Sequence, residues 1–139
     1  MFGALDISTS ALVAYRANLD VIAGNMAMKD AVKYENGEAT PYRRLVALFA
    51  PGDPSRGRGT PGVHVAAIVE DPSPFGLRWD PSHVHAIKEG KNKGYVRVSN
   101  VDYHTEMVNA MTAARAYEAN VTVMEMAKSM AASTLRLIA

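Results

Sequence analysis

From Val101 to Ala139 the chain contains neither Pro nor Gly. Read in sevens, Met107, Ala114, Val121, Lys128 and Leu135 form one column, and Ala110, Tyr117, Met124, Ala131 and Ile138 form another three residues on. All but Lys128 are apolar. An unbroken run with that repeat predicts one long helix that needs a surface to lie against. A second apolar column, Ala116, Val123, Met130 and Leu137, falls nearly opposite the first, with Arg115, Glu118, Glu125 and Arg136 between. Two apolar stripes on one helix predict neighbours on more than one side.

The other end of the chain repeats the design. Leu5, Leu12, Leu19 and Met26 make a column, with Ser8, Tyr15 and Ile22 three residues on, and Ile7, Ala14, Val21 and Met28 make the second stripe. This predicts a helix from Phe2 to about Met28, with Asp6 or Ser8 near its start as candidate caps and Gly24-Asn25 weakening its end.

Between the two the texture changes, and all seven Pro lie between residues 41 and 81. Lys29 to Thr40 reads as a polar link. Strands are expected at Tyr42–Phe49, Val63–Val69, Leu77–Trp79 and Tyr95–Val98, with loops at 51–62 and 83–93. The expected fold is α+β and mainly helical. In it, terminal helices (1–30 and 101–139) pair as an antiparallel coiled coil, and a small β-rich module (31–100) is inserted between them. At 1.5 Å per residue the C-terminal helix spans roughly 54 Å and the N-terminal one roughly 40 Å. Pairing therefore leaves about three turns of the longer helix to find other partners.

Composition excludes more than it suggests. Net charge is +1 with 21% charged residues, so no overall field draws nucleic acid or an anionic membrane. Without Cys there is no disulfide, thiolate metal site or Cys nucleophile. No apolar run reaches 18 residues, and Asp6 precedes the first Arg, so neither a spanning segment nor a cleaved secretory signal is expected.

Sites for chemistry are scarce. Gly57-Arg-Gly-Thr-Pro-Gly62 matches a dinucleotide pattern, but Pro61 and a β-rich run follow where a helix is required, so it reads as a loop. His83-Val-His85, near Asp80, has the spacing of two metal ligands but lacks a clear third. His64 and His104 read as ordinary surface or boundary residues. Arg43-Arg44 with Arg56 and Arg58 reads as a solvated basic surface, with contact to an acidic neighbour as the other reading. Asp80, Glu89, Asp102 and Glu106 show no pairing spacing. There is no G-x-S-x-G. No catalytic residue, cofactor or metal is expected.

Ala114-Arg-Ala-Tyr-Glu-Ala-Asn-Val-Thr-Val-Met-Glu-Met-Ala-Lys-Ser-Met130 resembles the C-terminal signature of the FlgC family of bacterial flagellar proximal-rod proteins. Ala4-Leu-Asp-Ile-Ser8, Pro41-Tyr-Arg-Arg44, Asp71-Pro-Ser-Pro74, Asp80-Pro81, Gly94-Tyr-Val96 and Asn100-Val101 match in family order along nearly the whole chain. There are two departures. Gly24-Asn-Met-Ala-Met28 stands where the family carries Asn-Asn-x-Ala-Asn, and the loop from Ala86 to Lys93 has three Lys.

The resemblance implies a structural subunit without enzymatic activity. Such a subunit passes unfolded through the flagellar type III export channel and polymerises in the periplasm, within the basal-body rod. Its implied partners are copies of itself, other proximal-rod proteins, the distal rod and the export-gate adaptor at the rod base. Nucleic acid, a small-molecule substrate and membrane insertion are not implied. On this reading core or interface contacts fall at Leu5, Leu12, Leu19, Ile22, Tyr117, Val121, Met124, Met130 and Leu135, and the ends of the free chain are largely disordered before assembly. A cytoplasmic coiled-coil adaptor and a small metal-dependent enzyme using the His83/His85 loop are the alternatives.

Overall fold

A computed structural model describes residues 2–35, 38–52 and 60–138. Two helices bracket three hairpins. In order these are α1 (Phe2–Met28), β1 (Val32–Glu35), β2 (Glu38–Pro41), β3 (Leu45–Pro51), β4 (Val63–Glu70), β5 (Gly76–Trp79), β6 (Tyr95–Val98) and α2 (Tyr103–Ile138). The strands pair only as neighbours, β1 with β2, β3 with β4 and β5 with β6, all antiparallel. The fold is α+β, with the terminal helices packed together and small sheets between.

α1 and α2 run antiparallel. The Asn25 side chain near the end of α1 meets Glu106 in the first turn of α2, while Thr9 near the start of α1 meets the Met124 sulfur at 4.0 Å. α2 begins where Asp102 caps it. The Asp102 carboxylate accepts the backbone N–H groups of His104 (3.3 Å) and Thr105 (3.2 Å) and the Thr105 hydroxyl, which meets donors the first turn leaves unpaired. Those bonds, the Thr105 hydroxyl first, hold the Asp102 carboxyl below its ordinary range.

The β3–β4 hairpin lies on α1. Phe49 packs on Tyr15 with ring centres 5.6 Å apart, and the Ser10 hydroxyl accepts the Val63 N–H at 3.1 Å. Gly62, at φ 140°, permits that approach, since a Cβ there would sit 2.8 Å from the Ser10 oxygen. On β5–β6, Trp79 packs edge-on to Tyr95 at 5.0 Å and covers Gly94 (φ 83°), where a Cβ would lie 2.6 Å from the indole ring.

Two expectations need correction. The stretch read as a polar link holds the β1–β2 hairpin, with Val32 opposite Pro41 and Tyr34 opposite Ala39. Its strands are four residues each, too short to show alternation, and the Asn36-Gly37 pair in the sequence was the available hairpin signal. The strand expected from Tyr42 begins at Leu45. Backbone groups of 42–44 bond outside the ladder, Tyr42 N–H to the Ala31 carbonyl and Arg44 N–H to the Asn100 side chain. Gly57, Gly59, Arg56 and Arg58 of the 51–62 loop lie outside the described residues.

The buried apolar core is made of Ala11, Ala14, Ile22, Ala47, Val96, Val101, Ala113 and Ala127, five of the eight being alanine. Small side chains let the helices approach closely but remove little apolar area from water. Among the described residues twenty large apolar side chains remain exposed, including Val123, Met126, Met130 and Leu135 on α2. The interior is thin and the apolar surface is broad.

Candidate assembly interface and its polar interlock

The inner face of α2 is set by a heptad one residue out of step with the expected first column. Glu106, Ala113 and Ala127 are buried and Asn120 half-buried, whereas Met107, Lys128 and Leu135 are exposed. The expected column of Ala110, Tyr117, Met124 and Ala131 is half-buried throughout. Alanine beside the true seam explains the shift. Large apolar residues mark a seam only where the partner leaves room for them, and here the buried positions 113 and 127 are alanine.

The expected contact residues therefore divide. Ile22 is buried, and Leu5, Leu12, Leu19, Tyr117, Val121 and Met124 are half-buried. Met130 and Leu135 face solvent at 58% and 68% exposure. Residues 132–136 are all exposed.

At the other end of α2, polar groups dominate. Asn25 is fully buried and uses its whole hydrogen-bonding capacity. Its Nδ2 donates to the Leu45 carbonyl (2.8 Å) and Glu106 Oε2 (2.9 Å), and its Oδ1 accepts the Leu45 N–H (2.9 Å) and the Tyr42 hydroxyl (3.2 Å). Toward Leu45 the carboxamide acts as a peptide group would, pairing both N–H and C=O where β3 begins.

Glu106, also fully buried, receives Arg44 through Nη2 (2.7 Å) and Nε (2.9 Å) and Asn109 Nδ2 at 3.2 Å. Arg44 Nη1 reaches Asp71 Oδ2 at 3.2 Å. Burial alone would lower the Arg44 pKa, but the bonds to Glu106 and Asp71 outweigh it and raise it. Burial, then the Glu106 charge, pushes the Tyr42 phenol up. Asp71 is held low, first by the Ser73 hydroxyl and backbone N–H, then by Arg44.

Arg44 is thus not part of a solvated basic surface. It neutralises a carboxylate that could not be buried alone. Arg43 donates to the carbonyls of Asp71 (2.9 Å) and Ser73 (3.0 Å) and lies 4.3 Å over the Phe75 ring, so it clamps the Asp71–Phe75 turn. Sequence reasoning missed this network because its members come from residues 25, 42–45, 71, 100 and 106. The faint signals were an Asn in the otherwise apolar last two turns of α1, from Val21 to Met28, and a Glu in register with Ala113, Asn120 and Ala127.

The remaining candidates stay dispersed. His85 Nε2 meets the Tyr34 hydroxyl at 2.8 Å, and His83 Nδ1 accepts the His85 N–H at 3.2 Å. His64 Nδ1 bonds the Gly52 carbonyl and His104 packs against Tyr103. Among the described residues no three His, Cys, Asp or Glu side chains gather as a metal site would require. The open cleft of about 430 Å³ between α1 and β4 is lined by Asp6, Ser10 and His64, but the Ser10 hydroxyl donates to the Ile7 carbonyl and accepts the Val63 N–H, and His64 Nδ1 bonds the Gly52 carbonyl; another of about 470 Å³ lies between β1–β2 and residues 83–88.

The terminal helices pack together around small hairpins, and α2 carries broad exposed apolar surface, the arrangement of a subunit that packs against other chains. Residues 92–137 match the family described as "Flagellar basal body rod FlgEFG protein C-terminal". Three full-length relatives carry the name flagellar basal-body rod protein FlgC. That of Buchnera aphidicola subsp. Acyrthosiphon pisum is 42% identical over 95% of this chain and 93% of its own. That of Borreliella burgdorferi is 38% identical over 99% and 97%, and that of Bacillus subtilis 39% identical over 98% and 97%. The chain belongs to the FlgC family of flagellar basal-body rod proteins. It is a structural rod subunit, and the adaptor and metal-enzyme alternatives are not favoured.

Proposed function

We propose that the chain polymerises through its terminal helices into the wall of the proximal rod, where it carries motor torque toward hook and filament. The observation that carries this reading is the outer face of α2. Val108, Met111, Val123, Met126 and Met130 are 48–61% exposed on the side turned from α1. Each such side chain gains roughly 1.5–3 kcal/mol when fully buried, so a few per contact favour close packing of neighbours. Stripes on both sides of one helix let it pack on its own partner and on the next subunit at once, in coiled-coil fashion.

The family implies the rest of the setting. The subunit travels through the flagellar export channel to the periplasmic side and meets copies of itself, other proximal-rod proteins, the distal rod and the rod-base adaptor. No described helix is long and apolar enough to cross a membrane. The helical ends (1–30 and 101–139) form the axial unit and residues 31–100 the β-rich one. The contact residues remain Leu5, Leu12, Leu19, Ile22, Tyr117, Val121 and Met124 within or beside the helix pair, with Met130 and Leu135 toward neighbours.

Fractionation tests the reading. A tagged chain should co-purify with hook–basal bodies. A Val121→Asp or Met124→Asp chain should be exported but not incorporated, leaving cells non-motile. Normal swimming by such cells would remove the interface assignment.

A further inference from the structure

The facing sides of the two helices carry little that fixes how far one lies along the other. Ala11, Asn18 and Asn25 on α1, and Glu106, Ala113, Asn120 and Ala127 on α2, recur every seven residues and are buried or half-buried. In the observed alignment Asn25 meets Glu106 and Thr9 meets Met124. Sliding α1 by one heptad in one direction sets Asn18 against Glu106 and Ala11 against Ala113. Sliding it the other way sets Asn18 against Asn120 and Ala11 against Ala127. Each slide puts alanine on alanine and an amide on a polar side chain, so the helix pair alone gives the observed alignment no advantage.

Residues 42–45 supply what the pair lacks. Asn25 bonds both backbone atoms of Leu45 and the Tyr42 hydroxyl, and Glu106 receives Arg44 through two nitrogens. The Arg44 N–H is itself held by the Asn100 side chain. Both helices are thus referred to one short segment where β3 begins. A one-heptad slide of either helix carries its anchor roughly 10 Å away and leaves buried polar groups without partners.

We infer that Asn25, Arg44 and Glu106 determine the register of the terminal helices, and through it the alignment of the apolar stripe that neighbouring subunits meet; the second half rests on the function proposed above. Ends that are largely disordered before assembly find their alignment while they order. The 42–45 segment belongs to neither end and is the reference against which they do so.

The sequence has no Cys, so introduced pairs report without background. Thr9→Cys with Met124→Cys marks the observed register. Thr9→Cys with Tyr117→Cys, and Arg16→Cys with Met124→Cys, mark the two slides. In the isolated full chain, a bifunctional thiol reagent shorter than the roughly 10 Å rise of one heptad traps each alignment as it forms, even where the ends are ordered only part of the time. The in-register product should exceed either slid product at least about fivefold. A chain that also carries Asn25→Leu, Arg44→Met and Glu106→Leu has no buried charge left behind, and its three yields should converge to within about twofold. Hydrogen exchange should show β5–β6 still folded in it. Once exported, it should enter basal bodies at least about tenfold less than the parent.

An unchanged in-register preference without the three polar groups overturns the inference, as does a parent chain that gives slid products as readily. If the triple variant fails to fold, Asn25→Ala decides: the preference should fall at least about threefold, and an unchanged one overturns the inference. Lost register with parental incorporation would overturn the link to assembly. A parent chain held in one register that never reaches basal bodies would instead count against the rod-assembly reading.

Discussion

The two ends of α2 are built on opposite principles. Its first two turns are fixed by polar groups: Asp102 caps the helix, and Glu106 is enclosed by Arg44, Asn25 and Asn109. From Val123 onward it carries apolar side chains that the rest of the chain does not cover. The first end is specified within the molecule, because a buried carboxylate tolerates only one arrangement of partners. The second is adaptable, since methionine fills irregular gaps and tolerates varied neighbours. The inner side of the first end ties the helix to its own chain, and the outer side, from Met107 and Val108 to Leu135, is left for another chain.

Breaking the specified end should produce the largest loss of stability. Arg44→Ala leaves Glu106 buried with only amide partners and should cost about 3–5 kcal/mol, read as a shift in the denaturant midpoint. Asn25→Ala removes a group that meets both backbone atoms of Leu45. It should cost about 1–3 kcal/mol, with hydrogen exchange at Leu45 rising ahead of the rest of β3.

Asp102→Ala should fray only the first turn of α2, a smaller effect seen as faster exchange at His104 and Thr105. Because the folded carboxyls of Asp102 and Asp71 titrate below their ordinary range, their contribution is complete above the unfolded value near ~3.9 and fades as pH falls through the folded values. Acid titration of the Asp102→Ala chain should therefore show a shallower loss of stability below about pH 4 than the parent.

The same contrast explains what the sequence could disclose. Both helices were legible, since 27 and 36 residues of apolar repeat without Pro leave few alternatives. In the column through Ala110, Tyr117, Met124 and Ala131 only Tyr117 and Met124 are large, and all four positions are half-buried. The true first seam was hidden because alanine carries little signal, and Leu135, with the right character, lies in water. The interlock left only faint traces in the sequence. Its specificity comes from bringing Asn25 and Glu106 together across 81 residues, and no local pattern encodes that distance. Asn25, within Gly24–Met28, is the residue that closes the network.

If the apolar end exists for partners, charging it should leave the lone subunit unharmed and still prevent rod growth. A chain with Met126→Asp and Met130→Asp, both at exposed positions, should unfold within about 0.5 kcal/mol of the parent per site. Quantifying that chain in purified basal bodies from cells that export it normally is the deciding measurement. Near-complete exclusion is the predicted result, and incorporation at the parental level would contradict the account.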